Sequence, residues 1–186
     1  MLYDSNTQVN DLLRQAEEIL EPWIPEANRP QPDEKDLAHG ENPLIFEYEK
    51  RRIKLTGNGR PDVLDMDVSA DNLLAVIEAL IDNEWGYLAT ITGVDLGVEV
   101  GELEILYHFC HGAAVVTLSV KVPRDNAVVP SVCGIIPSSS FYERELLEMF
   151  GVTITNTPNT DHLFLPDNWP DGVYPLRKDF KMPAAN

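Results

Sequence analysis

The amino-acid sequence predicts an α+β fold: a twisted, mainly antiparallel sheet with helices packed on one face, plus an N-terminal helix and an irregular, extended C-terminal tail. Three observations predict it. Apolar residues recur at helical spacing near the start of the chain and again from Leu73 to Ile81. Three strand-like runs then follow one another across short glycine turns, a pattern that favours antiparallel neighbours. The last stretch mixes Pro, Asn, Asp and Gly with scattered large apolar side chains, which suits neither helix nor strand.

Val9, Leu12, Leu13, Ala16, Ile19, Leu20 and Trp23 lie on one side of a helix, with Asp11, Arg14, Glu17, Glu18 and Glu21 opposite. Prolines 22, 25, 30, 32 and 43 then punctuate a polar stretch that cannot continue the helix, so Glu21 to Pro43 reads as a linker. Leu44 to Leu55 and Val63 to Val68 are strand-like, divided by the turn residues Gly57, Asn58, Gly59 and Pro61. Ser69 is placed to cap a helix whose apolar face is Leu73, Leu74, Val76, Ile77, Leu80 and Ile81. Strands are expected at Tyr87 to Leu96, Glu102 to Phe109 and Ala113 to Val122, with turns at Gly97 to Gly101 and at Gly112. A short helix follows at Phe141 to Phe150, entered through the capping-box pair Ser140 and Glu143 and stopped by Gly151. The chain therefore divides into an N-terminal helix and linker (1–43), an α+β domain (44–155) and an extended C-terminal docking segment (156–186).

The 186 residues include 31 acidic and 14 basic side chains, a formal net charge of −17, which disfavours nucleic acid or an anionic membrane surface as partner. The charge is uneven: residues 1 to 104 hold 23 acids and 8 bases, so the N-terminal part is the acidic, solvated side. The runs free of charged side chains, Ile105 to Val120 and Asn126 to Tyr142, are broken by His, Gly, Pro and Ser and do not supply the ~20 apolar residues of a membrane span. The N-terminus lacks the basic head and apolar middle of a secretory signal, so a cytoplasmic location is expected. Cys110 and Cys133 are the only cysteines, too few for an iron-sulfur cluster with the usual four thiolates. If the chain serves a redox system, other chains carry the electrons.

The clusters that could carry chemistry have simpler explanations. His108, Cys110 and His111 bring zinc-type donors close together, but no second pair stands at a matching spacing and a strand ending at Gly112 accounts for them. Ser138, Ser139 and Ser140 lack nucleophile-elbow spacing, and capping explains them. Gly57-Asn58-Gly59 lacks the Lys and hydroxyl residue of a phosphate loop. In FYERELLEMFG, Tyr142, Leu146, Met149 and Phe150 form an apolar stripe and Arg144 is spaced to pair with Glu148. Glu143 and Glu145 fall on the outer face, where contact with a neighbouring chain is a better reading than catalysis. No catalytic, cofactor-binding or metal-binding residue is expected in this chain.

The sequence ERELLEMFG at Glu143 to Gly151, PLRKDF at Pro175 to Phe180 and VPRDNAVVPSV at Val122 to Val132 together resemble a known family. It is the family of the 30-kilodalton subunit of complex I, the C subunit of the bacterial NADH-quinone oxidoreductase, with the related subunit of membrane-bound, energy-converting nickel-iron hydrogenases. The resemblance spans roughly Asp62 to Phe180 and is strongest in the last third. Asn156-Thr157-Pro158 and Asp161-His162-Leu163 replace the Gly-His-Pro and arginine pair common in respiratory members, and LPDNWPDGVYPLRKDF looks more like the hydrogenase branch.

The resemblance implies a peripheral-arm subunit without a redox centre, on the cytoplasmic side of the cell membrane. Its partners would be a catalytic large subunit, carrying the quinone or nickel-iron site, and a small iron-sulfur subunit. Glu143, Arg144, Glu145, Arg177, Lys178 and Asp179 match the family motifs and are candidates for intersubunit contact. Trp169, Tyr174 and Phe180 are candidate anchors in a tail expected to reach across a neighbouring subunit, leaving the domain up to Ile154 able to fold without it. The rival readings are a free-standing soluble enzyme and a transient adaptor.

Overall fold

The computed structural model describes residues 5–24 and 62–182. The expected strand at Leu44 to Leu55 and most of the expected linker lie outside the described residues. The remainder is an α+β arrangement around one four-stranded sheet. The elements are helix α1 (Ser5–Leu20), strand β1 (Val63–Asp67), helix α2 (Leu73–Asp82), strands β2 (Tyr87–Gly97), β3 (Glu102–His111), β4 (Ala114–Pro123) and β5 (Val128–Pro130), helix α3 (Ser140–Phe150) and strand β6 (Thr153–Thr155).

The sheet order is β1-β4-β3-β2. From β1 the chain crosses by way of α2 to the far edge and returns as the antiparallel meander β2-β3-β4, which brings β4 beside β1 in parallel. Alternation sets the faces: Leu103, Ile105, Tyr107 and Phe109 of β3 stand opposite Val122, Val120, Leu118 and Val116 of β4, and all eight are buried. These residues share one core with Leu13, Ala16 and Leu20 of α1, Leu73, Val76, Ile77 and Leu80 of α2, and Leu146 and Phe150 of α3. The N-terminal helix thus completes the core, and the Trp85 indole donates to the Leu12 carbonyl at 2.8 Å to fix it there. Helix α3 lies directly on β2, where Gly93 makes room: a Cβ there would stand 2.7 Å from the Phe150 ring.

Two capping expectations differ from the structure. Ser69 lies in the turn before α2, whose N-cap is Asn72 without a side-chain cap bond. Helix α3 starts at Ser140 after N-cap Ser139, again without a side-chain cap bond, because the Glu143 carboxylate points into the protein. Gly151 ends α3 as expected, in a left-handed conformation with φ 67°.

Candidate functional site

Glu143 is buried, not on an outer face. It accepts hydrogen bonds from the Val132 amide at 2.8 Å and the Ser131 hydroxyl at 3.0 and 2.9 Å, and the Cys133 thiol lies 3.2 Å from its Oε2. One carboxylate therefore closes the turn between β5 and α3, and Ser139 backs it through a 3.2 Å contact with the Cys133 sulfur. The negative charge of Glu143 adds to burial in pushing the Tyr107 phenol well above its ordinary pKa. Glu145 is half-buried on the same helix.

On the same helix, the expected Arg144–Glu148 ion pair is replaced by two sets of contacts with the C-terminal tail. Arg144 donates to the carbonyls of Asp161 and His162 at 2.8 and 2.6 Å. Glu148 accepts from the amides of Leu163, Phe164 and Leu165 at 3.0, 2.8 and 3.2 Å, with the His162 ring 3.2 Å away. A cation holding carbonyls and an anion holding amides, spaced i and i+4 on one helix, bind the tail by its backbone. Burial alone would raise the Glu148 pKa, but the three amides and His162 outweigh it and lower the carboxyl below its usual value.

The PLRKDF motif closes on a second buried carboxylate, Asp95 near the end of β2. Asp95 accepts from Arg124 Nε and Nη2 at 3.1 and 3.2 Å, from the Gly97 amide at 2.9 Å and from the Lys178 amide at 2.8 Å. Arg124 also pairs with Asp179. Its side chain is 7% exposed and that of Asp95 1%, so both charges have left water and depend on these partners. Desolvation opposes ionisation of Asp95, yet the Arg124 guanidinium and the two amides hold its pKa at about 2. The same carboxylates push Arg124 upward.

Arg177 donates to the carbonyls of Phe150 and Arg124 at 2.7 and 3.2 Å and lies 4.6 Å above the Tyr174 ring. Tyr174 in turn covers Gly151, where an added Cβ would overlap the phenol ring, so the helix stop and the strap require each other. Trp169 stacks on Phe180 at 6.4 Å and donates to the Val173 carbonyl at 2.8 Å. The tail is therefore a strap folded over its own domain. Arg144, Tyr174, Arg177, Asp179, Trp169 and Phe180 all have partners within the chain, while Lys178 bonds through its backbone and keeps its side chain outward.

The histidine-cysteine cluster does not converge. His108 and Cys110 share one face of β3, His111 points to the other and meets Trp85 edge-on at 5.8 Å, and the His108 Nδ1 lies 3.2 Å from the Thr117 hydroxyl. Among the described residues no group of three or more His, Cys, Asp or Glu is placed to hold a metal ion. The buried charges at Glu143, Glu148, Asp95 and Arg124 are each wrapped by donors or acceptors of the chain itself, an arrangement that fixes segments in place. Asp95 and Glu148 escape sequence reasoning as anchors. The signals for the Asp95 anchor are an acid inside the otherwise apolar strand ITGVDLG and an arginine at the end of the next strand pair.

The described residues thus form an α+β domain whose C-terminal strap is clamped through its backbone and by buried charged groups. Residues 66–186 match the family model described as respiratory-chain NADH dehydrogenase, 30 Kd subunit, and the chain belongs to that family. It is 42% identical over 89 residues to the membrane-bound hydrogenase subunit beta of Pyrococcus furiosus, covering 47% of this chain and 51% of that protein. It is 33% identical over 121 residues to the C subunit of NADH-quinone oxidoreductase from Rhizobium rhizogenes, covering 63% and 60%. The matches thus span between half and two thirds of these relatives' own length. A chain of the membrane-bound sulfane sulfur reductase, an archaeal respiratory membrane complex, superimposes with a TM-score of 0.58 at 29% identity, over 66% of this chain and 74% of that one.

Proposed function

We propose that this chain is a redox-centre-free, peripheral subunit of a membrane oxidoreductase complex, of either the NADH-quinone oxidoreductase or the energy-converting hydrogenase type. It holds a catalytic large subunit against a small iron-sulfur subunit, and those partners supply the iron-sulfur clusters and the quinone or nickel-iron site. The observation that carries this reading is the clamped strap. Three buried charged groups, Glu148, Asp95 and Arg124, hold one irregular segment on the domain surface, which suits a part that presents a fixed shape to a neighbour. The names of the relatives support the complex type, and the division among respiratory, hydrogenase and sulfur-reducing relatives leaves both branches in view. No helix among the described residues is long and apolar enough to cross a membrane. In this reading the chain attaches through its partners, on the cytoplasmic side.

Isolation of the tagged full-length chain from detergent-solubilised membranes tests the reading. Co-isolation of a large subunit and an iron-sulfur subunit, with cluster absorbance in the assembly and none in the chain released from it, is the expected result. Recovery of the chain alone, with an activity of its own, would favour a free-standing enzyme.

A further inference from the structure

Between its two anchors the strap is held only by itself. Glu148 takes the amides of Leu163, Phe164 and Leu165, and further on Asp95 and Arg124 take the Lys178 amide and the Asp179 carboxylate. From Pro166 to Val173 the hydrogen bonds among the described residues stay inside the segment: the Trp169 amide donates to the Pro166 carbonyl at 2.9 Å and the Trp169 indole to the Val173 carbonyl at 2.8 Å. The second of these bonds spans a turn at Asp171 and Gly172.

Asp171 is the one aspartate in the sequence followed by glycine. Both residues are exposed, and among the described residues nothing holds the Asp171 carboxylate and nothing accepts from the Gly172 amide. Gly172 has φ 73°, a conformation that glycine adopts without strain, and a Cβ added there would meet no atom within 4 Å. The carboxyl carbon of Asp171 is joined to the Gly172 nitrogen through Cβ, Cα and the main-chain carbonyl carbon, so a bond between the two ends closes a five-membered ring. The contrast is with Asp95, whose buried carboxylate is bound by Arg124 and two amides, and with Asp179, which is tied to Arg124.

We propose that Asp171 is a site of spontaneous isoaspartate formation, and that the change unfastens the middle of the strap. The Gly172 nitrogen loses its proton and bonds to Cγ of the protonated Asp171 carboxyl; the C–OH bond breaks and one water leaves as a cyclic imide forms. Water then adds to the carbonyl that had been the main-chain carbonyl of Asp171, the bond from that carbon to nitrogen breaks, and the nitrogen regains its proton. The chain now runs through Cγ, the former main-chain carbon carries the carboxylate, and the composition is unchanged.

The β-linked form has one more backbone atom, Cβ, between Pro170 and Gly172. The bond from the Trp169 indole to the Val173 carbonyl closes a loop that contains this atom, so its 2.8 Å geometry is lost when the turn lengthens. Trp169 stacks on Phe180 at 6.4 Å and the Phe180 amide donates to the Arg177 carbonyl, so the loss reaches the margin of the second anchor. The Glu148 clamp lies on the other side of Pro166 and keeps its three amides.

The test ages the purified full-length chain at neutral pH and physiological temperature. Its peptides are then sequenced by electron-transfer fragmentation, which distinguishes the two linkages, and methylation by a protein isoaspartate methyltransferase counts the altered residues. Isoaspartate should accumulate at position 171 of the wild type. Asp171→Glu, whose longer side chain would have to close a six-membered ring, should lose the signal. Asp167→Glu, at an exposed aspartate of the same segment that is followed by Asn168, should leave it unchanged. In the aged wild type the Trp169 indole proton, assigned by its loss in Trp169→Phe, should exchange with solvent faster than in the fresh chain, while the amides of Leu163 to Leu165 keep their rates. Aged Asp171→Glu should show neither change. Absence of isoaspartate from position 171 of the native chain, with or without its appearance in the urea-unfolded chain, would overturn the proposal. Isoaspartate at that position with unchanged exchange at the Trp169 indole would overturn the unfastening.

Discussion

Replacing Asp95 by Asn removes the charge at the centre of the strap's second anchor while keeping the side chain's size. Its pKa falls from 3.8 to about 2 on folding, a change that corresponds to about 2 kcal/mol of stability at neutral pH. A second contribution comes from Arg124, which stays buried with Asp179 as its remaining carboxylate; losing one partner of a buried pair costs about 3–5 kcal/mol when no other remains. A loss of about 2–4 kcal/mol is therefore expected, or roughly 5–15 °C in Tm for a chain of this length. Urea denaturation followed by circular dichroism measures it. The folded-state pKa lies below the unfolded one, so the carboxylate's contribution is complete above about pH 4 and is lost as pH falls toward 2. The wild type should lose its advantage over Asp95→Asn in that window. Equal stability of the two proteins at pH 7 would refute the reasoning, because the gain from pairing would then be cancelled by desolvation.

Gly151→Ala should cost about 2 kcal/mol or more, since it meets both a left-handed backbone and the Tyr174 ring; thermal unfolding checks it. Arg144→Ala removes two bonds to the strap and should cost about 1 kcal/mol, with faster hydrogen exchange at the Leu163 to Leu165 amides than in the wild type. Ending the chain after Ile154 strips Glu148 of its three amides and Asp95 and Arg124 of the Lys178 amide and Asp179. Its urea midpoint should fall further than that of Asp95→Asn, where the sequence alone predicts only that the domain up to Ile154 folds without its tail.

Much of the sheet was legible because its signals are local. The glycine turns at Gly97 to Gly101 and Gly112 and the period-two runs between them mark β2, β3 and β4 to within about two residues, an ordinary margin for such boundaries. The apolar spacing of α1 and α2 was equally direct, since each helix buries the stripe its sequence displays. The parallel pairing of β1 with β4 was less accessible, because it depends on a crossover through α2 and on strands far apart in sequence. The strap's anchors were least accessible. Arg144 and Glu148 bind backbone atoms, so no complementary side chain marks their targets, and helical spacing made them look like partners of each other. Arg124 meets Asp95 across 29 residues and Asp179 across 55, a juxtaposition that only the folded sheet creates. The family motifs fall on the segments that make these bonds, and the bonds themselves came from the fold.

That this chain works as one part of a larger membrane assembly is tested most directly by native size measurement of the full-length protein, extracted with mild detergent from cells that produce it at its ordinary level. Elution in a large assembly with iron-sulfur absorbance is the expected result. Migration near 20.8 kDa, free of other chains and unchanged when membranes are left out of the extraction, would contradict it.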